Sequence, residues 1–419
     1  MRSTKALASD TVEDISRRNY GSSSAVETIV AANPNVDFDN LSEGQTIVLP
    51  SAAKIDQSNV VADNDDDVII SINGEVYKVW DNFSVTLNFG AIADTFSFRI
   101  PFFPDDASQR EAFRPFSYNE VTVWIGQDKL LTGVLVDVSP TVGETREVSI
   151  SGYSRCGVLQ DVTFSPSQYP IEYNQVSLIN LTKDVVKPFG LTAGASADAK
   201  NAASDNLNPD PLFERIIASP TGRIGSFLSK LAAQQGVVLG CDSDGNVNYD
   251  VASSEKANYE LIEGIPPLVK ASAKYQGQKR YSHFSGLTQD WLGSTDVRVS
   301  LHDESAVKRG VFRPITLLEK DVTEGQINTL VRSQMGRNLS DASPINLTLS
   351  DWRNSEGKLF SKNERLLLTA KSIMIYKKTE FLSKSVTFSR SSTGGKIAYL
   401  SLALPENYGG NSQDLPWEE

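Results

Sequence analysis

The chain has 419 residues, 40% hydrophobic and 22% charged, which bounds it as an ordinary globular protein of about three domains on length alone. Its formal net charge of -12, from 52 acidic against 40 basic residues, argues against a protein that wraps nucleic acid, because phosphate binding rewards clustered Lys and Arg. No run approaches the roughly 20 apolar residues of a membrane-spanning helix and the start lacks the apolar stretch of a secretory signal, so the expectation is synthesis in a cytoplasm. The two cysteines, Cys156 and Cys241, stand far apart in sequence, which predicts two separately buried small side chains with neither a disulfide framework nor zinc spacing.

Residues 1–53 read as a separate unit. A strand is expected at 4–7. Asp10-x-x-Glu13 and Ser24-x-x-Glu27 have capping-box spacing, in which a short acceptor covers the first free backbone donors and a Glu three residues on reaches back. They open helices over 11–18 and 25–32, and Gly44-Gln45 turns into a strand at 46–49. The order βααβ, with Ser9-Asp10-Thr11, Tyr20-Gly21, Ala32-Asn33-Pro34 and the closing Leu41-x-x-Gly-Gln-x-Ile-Val-Leu-Pro50, resembles a LysM domain over residues 4–50. The resemblance implies binding of N-acetylglucosamine polymers such as peptidoglycan, in a groove between the loop Ser9, Asp10, Thr11 and the loop Asn33, Pro34, Asn35. Ser9 stands where the family has Gly, and neither loop offers an aromatic ring to a sugar face. Docking on protein is therefore the preferred expectation, ahead of glycan.

Residues 54–67, with the acidic run Asp63-Asn-Asp-Asp-Asp67, read as a flexible solvated linker with a span of roughly 20 Å. A calcium loop is the weaker reading, because consecutive carboxylates are not aimed at one point. Short strands follow. Ile69 to Tyr77 is a hairpin about Asn73-Gly74, Trp80, Val85, Leu87 and Phe89 continue a period of two, and Val121 to Val136 repeats the hairpin across Gly126-Gln-Asp128. A small antiparallel barrel or sandwich is the expectation for 68–165.

In 166–257 an α/β region is predicted, with a helix over 176–186, a polar loop over 195–211, a helix carrying Ile224, Phe227, Leu228 and Leu231 on one face, and a hairpin across Asp242-Ser-Asp-Gly245. That last run lacks the distal Glu of a calcium loop, Ser253 standing in its place. Residues 258–322 read as a β-rich connecting region with strands at 272–277 and 296–301. Thr323-x-x-Gln326 caps a helix to about 338, strands return at 345–349, 366–369, 385–388 and 398–404, and 406–419 read as a flexible tail that carries Trp417.

Three segments now stand together: Asn73-Gly-x-x-Tyr77-x-x-Trp80, Trp124-Ile-Gly-Gln-Asp-x-Leu-Leu-Thr-Gly133 and Gly152-Tyr-Ser-Arg-Cys-Gly-Val-Leu-Gln-Asp161. With Trp352-Arg-Asn-Ser-Glu-Gly-Lys-Leu-Phe-Ser-Lys-Asn363, Val386-Thr-Phe-Ser389, Gly394-Gly395 and Leu402-x-Leu-Pro-Glu406, they resemble the baseplate hub proteins of contractile-tailed (Mu-type) phages. The resemblance implies a multidomain, mainly β protein with α+β parts: the LysM-like unit, two small tube-type β-barrels at 68–165 and 323–405, and α/β connecting domains. It implies a homotrimer whose paired barrels form a pseudo-sixfold ring joining the tail tube to the central spike, a virion location in the baseplate, and DNA that passes through without specific binding. Implied partners are the chain itself, a tail spike protein, and tail tube and other baseplate proteins, with peptidoglycan as a candidate through the LysM-like unit.

Catalysis finds little support. The only histidines, His283 and His302, lie nineteen positions apart without metal-type neighbours, and Gly394-Gly-Lys396 lacks the frame of a phosphate-binding loop. The alternation of Lys274, Lys279 and Arg280 with Tyr275 and Tyr281 fits a strand with one wet face better than a single-strand binder. No catalytic residue, cofactor or metal is expected. The alternatives to a structural hub are a peptidoglycan-binding tail protein and, with less support, a cell-wall hydrolase.

Overall fold

The computed structural model describes residues 2–20, 25–49, 52–55, 64–79, 82–143, 146–201, 212–289, 295–320, 322–391, 395–408 and 415–417. The sequence readings on Ser24, Pro50, Trp80, Gly394 and residues 202–211 lie outside them.

The N-terminal unit runs β1 (Arg2–Lys5), α1 (Val12–Tyr20), α2 (Val26–Ala32) and β2 (Thr46–Leu49). β1 and β2 pair antiparallel, and Ile15, Ile29, Ile47 and Leu49 form a small core. The capping box expected at Asp10 and Glu13 is made one residue later. Thr11 Oγ1 accepts from the Asp14 N–H, and Asp14 accepts from the Thr11 N–H. Asp10 is taken by Arg18, 2.6 Å away.

The first β module comprises β3 (Ala52–Ile55), β4 (Val68–Ile72), β5 (Glu75–Val79), β6 (Phe83–Asn88), β7 (Thr95–Pro101), the short helix α3 (Ala107–Ala112), β8 (Glu120–Ile125), β9 (Asp128–Val142) and β10 (Arg146–Ser154). Asn73 and Gly74 have φ of 49° and 82°, the left-handed pair that lets a two-residue turn follow the twist of its strands. Alternate side chains of β6 and β7, among them Phe83, Val85, Phe96 and Phe98, are buried. The segment read as a linker departs from that reading at both ends. Residues 52–55 pair with β5 as β3. Asp65 to Asp67 fold back onto the module, where the Asp67 carbonyl accepts from the Gly126 N–H and its carboxylate faces Lys78 at 3.5 Å.

The mixed unit holds α4 (Val158–Asp161), β11 (Glu172–Ser177), α5 (Leu178–Val186), β12 (Ala193–Ala195), α6 (Ala197–Asn201), β13 (Leu212–Ile217), α7 (Ile224–Gln234), β14 (Val238–Cys241) and β15 (Val247–Asp250). The helix expected over 176–186 starts at Leu178, because Val176 and Ser177 close β11 and the Ser177 hydroxyl caps the helix by accepting from the Asn180 N–H. Asp242 accepts from the N–H groups of Asp244 and Asn246, a plain turn. Cys156 and Cys241, expected apart, form a disulfide with Cα atoms 6.1 Å apart: β14 ends beside the turn that follows β10, so 85 residues of separation close to one contact.

The remainder comprises β16 (Glu260–Ile262), β17 (Leu268–Ala273), β18 (His283–Gln289), β19 (Thr295–His302), α8 (Glu304–Lys308), β20 (Pro314–Lys320), α9 (Glu324–Ala342), β21 (Ile345–Leu349), β22 (Arg365–Ala370), β23 (Ile375–Ser391) and β24 (Gly395–Ala403). The Thr323 and Gln326 box caps α9 as the spacing predicts. Two placements differ from the sequence reading. Among the described residues of 258–322, β18, β19 and β20 form a sheet of their own, while β16 and β17 pair with β22 and β21. α9 buries Ile327, Leu330 and Val331 against Phe284 and Ala233, so it belongs to that three-stranded sheet and α7 rather than to the strands that follow it.

The two β segments share one sheet. Its strand order is β17-β21-β24-β23-β6-β7-β10-β9-β8-β4-β5-β3, and one hydrophobic core runs under both halves. The tail returns to this core: Leu415 is 3% exposed, and Trp417 sets its ring edge-to-face on Tyr275 at 4.9 Å. An apolar Leu-Pro-Trp run finds a docking surface on its own chain, which corrects the flexible-tail expectation for these residues.

Candidate assembly interface

The join between the halves is a strand pair. β6 lies antiparallel to β23, from Phe83 opposite Arg390 to Asn88 opposite Ser385. Val85 and Phe388 meet on the core side, and the Thr86 and Thr387 hydroxyls bond at 2.9 Å on the other. A full backbone ladder with a shared apolar face makes this a rigid union rather than a hinge.

A clamp of charge locks one end of the ladder. Trp352, fully buried, donates its indole N–H to the carbonyls of Ser389 and Ile397, at 3.2 and 3.1 Å, and stacks edge-on against Phe83. Arg390 lies 4.7 Å over its ring. Beside it Arg353 donates to Asp66 at 3.1 Å and Lys396 also pairs with Asp66, tying the acidic run at the front of the first module to the second. Burial pushes the Asp66 carboxyl up, but hydrogen bonds and charge from Lys396 and Arg353 outweigh it and hold the group below the ordinary aspartate range. Gly126 is required here, because a Cβ on it would stand 2.3 Å from the Asp65 carbonyl oxygen.

The other end carries Asp94, which is buried. Its carboxylate accepts from Lys362 at 2.7 and 2.9 Å and from the Asn88 N–H at 2.6 Å, and Lys362 also donates to the Cys241 carbonyl at 3.1 Å. One ammonium thus touches the first β module and the mixed unit from the loop before β22. Burial raises the Asp94 carboxyl, and Lys362 opposes the rise.

The face turned away from the core is mostly small polar side chains, with Tyr399 and Lys270 among them. Cross-strand neighbours run Ser389, Ser84, Ser97, Ser151 and Asp137 in one row, and Ser272, Asn346, Ser401, Ser385 and Asn88 in another. Arg99 is partnered by Glu147 at 3.7 Å. The net charge of the chain therefore does not make this face acidic.

The residues singled out in the N-terminal loops sit as follows. Asp10 bonds Arg18 and the Leu7 N–H, Thr11 caps α1, and Ser9 is exposed with φ of 67°. Asn33 is buried and spans α2 and β2, donating to the Ile29 and Val48 carbonyls and accepting from the Val48 N–H, all at 2.7–2.8 Å. Pro34 and Asn35 are exposed. Asp10, Thr11 and Asn33 thus spend their polar atoms on the unit itself. His283 and His302, separated in sequence, are cross-strand partners with rings 4.7 Å apart. Among the described residues no group of three or more His, Cys, Asp or Glu is placed to hold a metal ion.

Residues 67–154 match the family described as Mu phage baseplate assembly protein GpP-like, N-terminal. No curated protein matches the chain. Several solved structures are similar to it, among them three tail proteins. The 43 kDa tail protein of prophage MuSo2 from Shewanella oneidensis has a TM-score of 0.67 at 23% identity, covering 82% of this chain and 99% of that one. The tail protein from Neisseria meningitidis MC58 has a TM-score of 0.67 at 16% identity, covering 83% and 98%. Prophage tail protein gp18 from Listeria monocytogenes EGD-e has a TM-score of 0.51 at 12% identity, covering 80% and 94%. At such identities the likeness is one of fold. The fold is that of phage tail proteins, and the match over the first β module supports a phage baseplate protein.

Proposed function

We propose that the chain is the structural hub of a contractile-tail baseplate, in which three copies close into a ring of six β modules between the tail tube and the central spike. The observation that carries this reading is the β6–β23 ladder. A ring of alternating modules needs an edge-to-edge module contact repeated around an axis, and one chain already holds that contact, locked by Trp352 and Asp66. Head-to-tail contacts of this kind close when the rotation between copies divides a full turn.

Eight strands, from β17 to β9, carry the hydroxyl face. Three copies supply about 24, and at about 4.8 Å per strand the wall measures about 115 Å around, or about 37 Å across between backbones before strand tilt widens it. That bore admits a double helix. Few unpaired cations line it, and phosphate binding depends on cations, so the wall favours passage over capture. The role is structural, with no step of bond chemistry. The N-terminal unit serves to dock on other baseplate proteins, since Asp10, Thr11 and Asn33 of its two loops spend their polar atoms internally.

Electron microscopy of the purified chain tests the proposal: views down the symmetry axis should show an annulus with a central hole and six densities. Compact single particles without a hole at micromolar concentration would overturn it.

A further inference from the structure

We infer that neighbouring copies join by adding β17 of one to the free half of β9 of the next, with Lys270 and Asp137 as the charge pair that fixes the register; this rests on the ring reading above.

Among the described residues the two edges are open. β17 is paired along one side, to β21. β9 is paired on both sides through Val134, and Leu135 donates its N–H to the Asn119 carbonyl. Beyond that point β9 has β10 on one side and no strand on the other among the described residues. Exposed apolar side chains mark both places, Val269 at 67% and Val142 at 82%. An uncovered strand edge is a template for pairing.

Direction agrees. Every pairing from β17 to β9 is antiparallel, and the strip holds an even number of strands, eight. Its end strands therefore run in opposite senses. A copy related by rotation about the ring axis presents β17 antiparallel to β9, so the sheet continues without a break in alternation.

Faces and charge agree as well. On the hydroxyl face Asp137 and Ser139 stand opposite Ser151 and Ser149, while Lys270 and Ser272 stand opposite Thr348 and Asn346. On the core side the shared core ends in half-buried Val138 at one edge and half-buried Ala271 and Ala273 at the other. The register Lys270 to Ser139, Ala271 to Val138 and Ser272 to Asp137 joins like face to like face, sets a large side chain against a small one, and makes Lys270 a diagonal neighbour of Asp137, within reach of a long side chain. Among the described residues neither Lys270 nor Asp137 has an ion-pair partner; Asp137 accepts one long bond, 3.5 Å, from the Ser151 hydroxyl.

The test is the double variant Asp137→Cys with Ser272→Cys in the full chain, oxidised with copper phenanthroline and run on non-reducing gels after its mass in solution has been measured. The inference expects a covalent ladder ending at three chains, absent from either single variant and removed by reductant. A ring-forming protein without the ladder overturns the edge assignment and leaves the ring standing; a monomer before oxidation overturns both. A second arm needs no cysteine. Lys270→Glu should weaken association at least tenfold and Asp137→Lys in the same chain should restore it; equal weakening in the single and double variants contradicts the pair.

Discussion

Lys362 Nζ lies 2.7 Å from Asp94 Oδ2, across 268 positions of sequence, and the pair sits where both β modules and the mixed unit meet. Removing the cation leaves a buried carboxylate with no counter-charge, which costs about 3–5 kcal/mol. Lys362→Met should lower the denaturation midpoint accordingly. The loss should also grow with pH. Burial raises the Asp94 carboxyl in the folded state, and such a group contributes stability below its unfolded value and loses it as pH rises through the folded one. Without Lys362 the carboxyl rises further, so the gap between variant and wild type should widen as the pH climbs above the unfolded aspartate value of about 4; a constant gap contradicts this role.

Asp66 has the opposite sign. Lys396 and Arg353 hold it below the ordinary range, so its contribution is present above the unfolded value of about 4 and is lost as pH falls through the folded one. Asp66→Asn should melt lower than wild type at pH 7, and the two melting temperatures should converge as the pH drops below about 4. Curves that stay parallel would show that the clamp does not act through ionisation.

How much of this was legible in the sequence depends on where the partner stood. Strand 345–349, the Asn73-Gly74 turn and the Thr323 box have local causes, and each lies where spacing placed it. The clamp was not legible. A carboxylate run reads as solvated by default, and the cations that meet Asp66 lie 287 and 330 positions away. The disulfide and the histidine pair were missed for the same reason, since chain separation carries no information on strand pairing. The hydroxyl face did leave a signal: in Phe83-Ser-Val-Thr-Leu-Asn88 and Ser385-Val-Thr-Phe-Ser389 the polar positions between the apolar ones are Ser, Thr or Asn.

Trp352 acts through its indole nitrogen as well as its bulk. Trp352→Phe keeps a ring against Phe83 and Phe388 but leaves the Ser389 and Ile397 carbonyls without that donor, at a cost of about 1–3 kcal/mol. Trp352→Ala should cost about 3–5 kcal/mol. Chemical denaturation separates the two, and equal losses would remove the hydrogen bonds from the account.

Asn33 holds α2 to β2 by three bonds, so Asn33→Ala should loosen the N-terminal unit by about 1–3 kcal/mol while the large sheet is untouched. Limited proteolysis should then cut first within residues 2–49. The full chain should not be retained on purified peptidoglycan; retention abolished by changes at Ser9 or Asn35 would replace docking with glycan binding.

The central claim is that paired β modules in one chain assemble with those of two others. Light scattering on the purified chain, read at several concentrations, tests it most directly: the account predicts a mass three times that of the chain, and a mass equal to one chain throughout would contradict it.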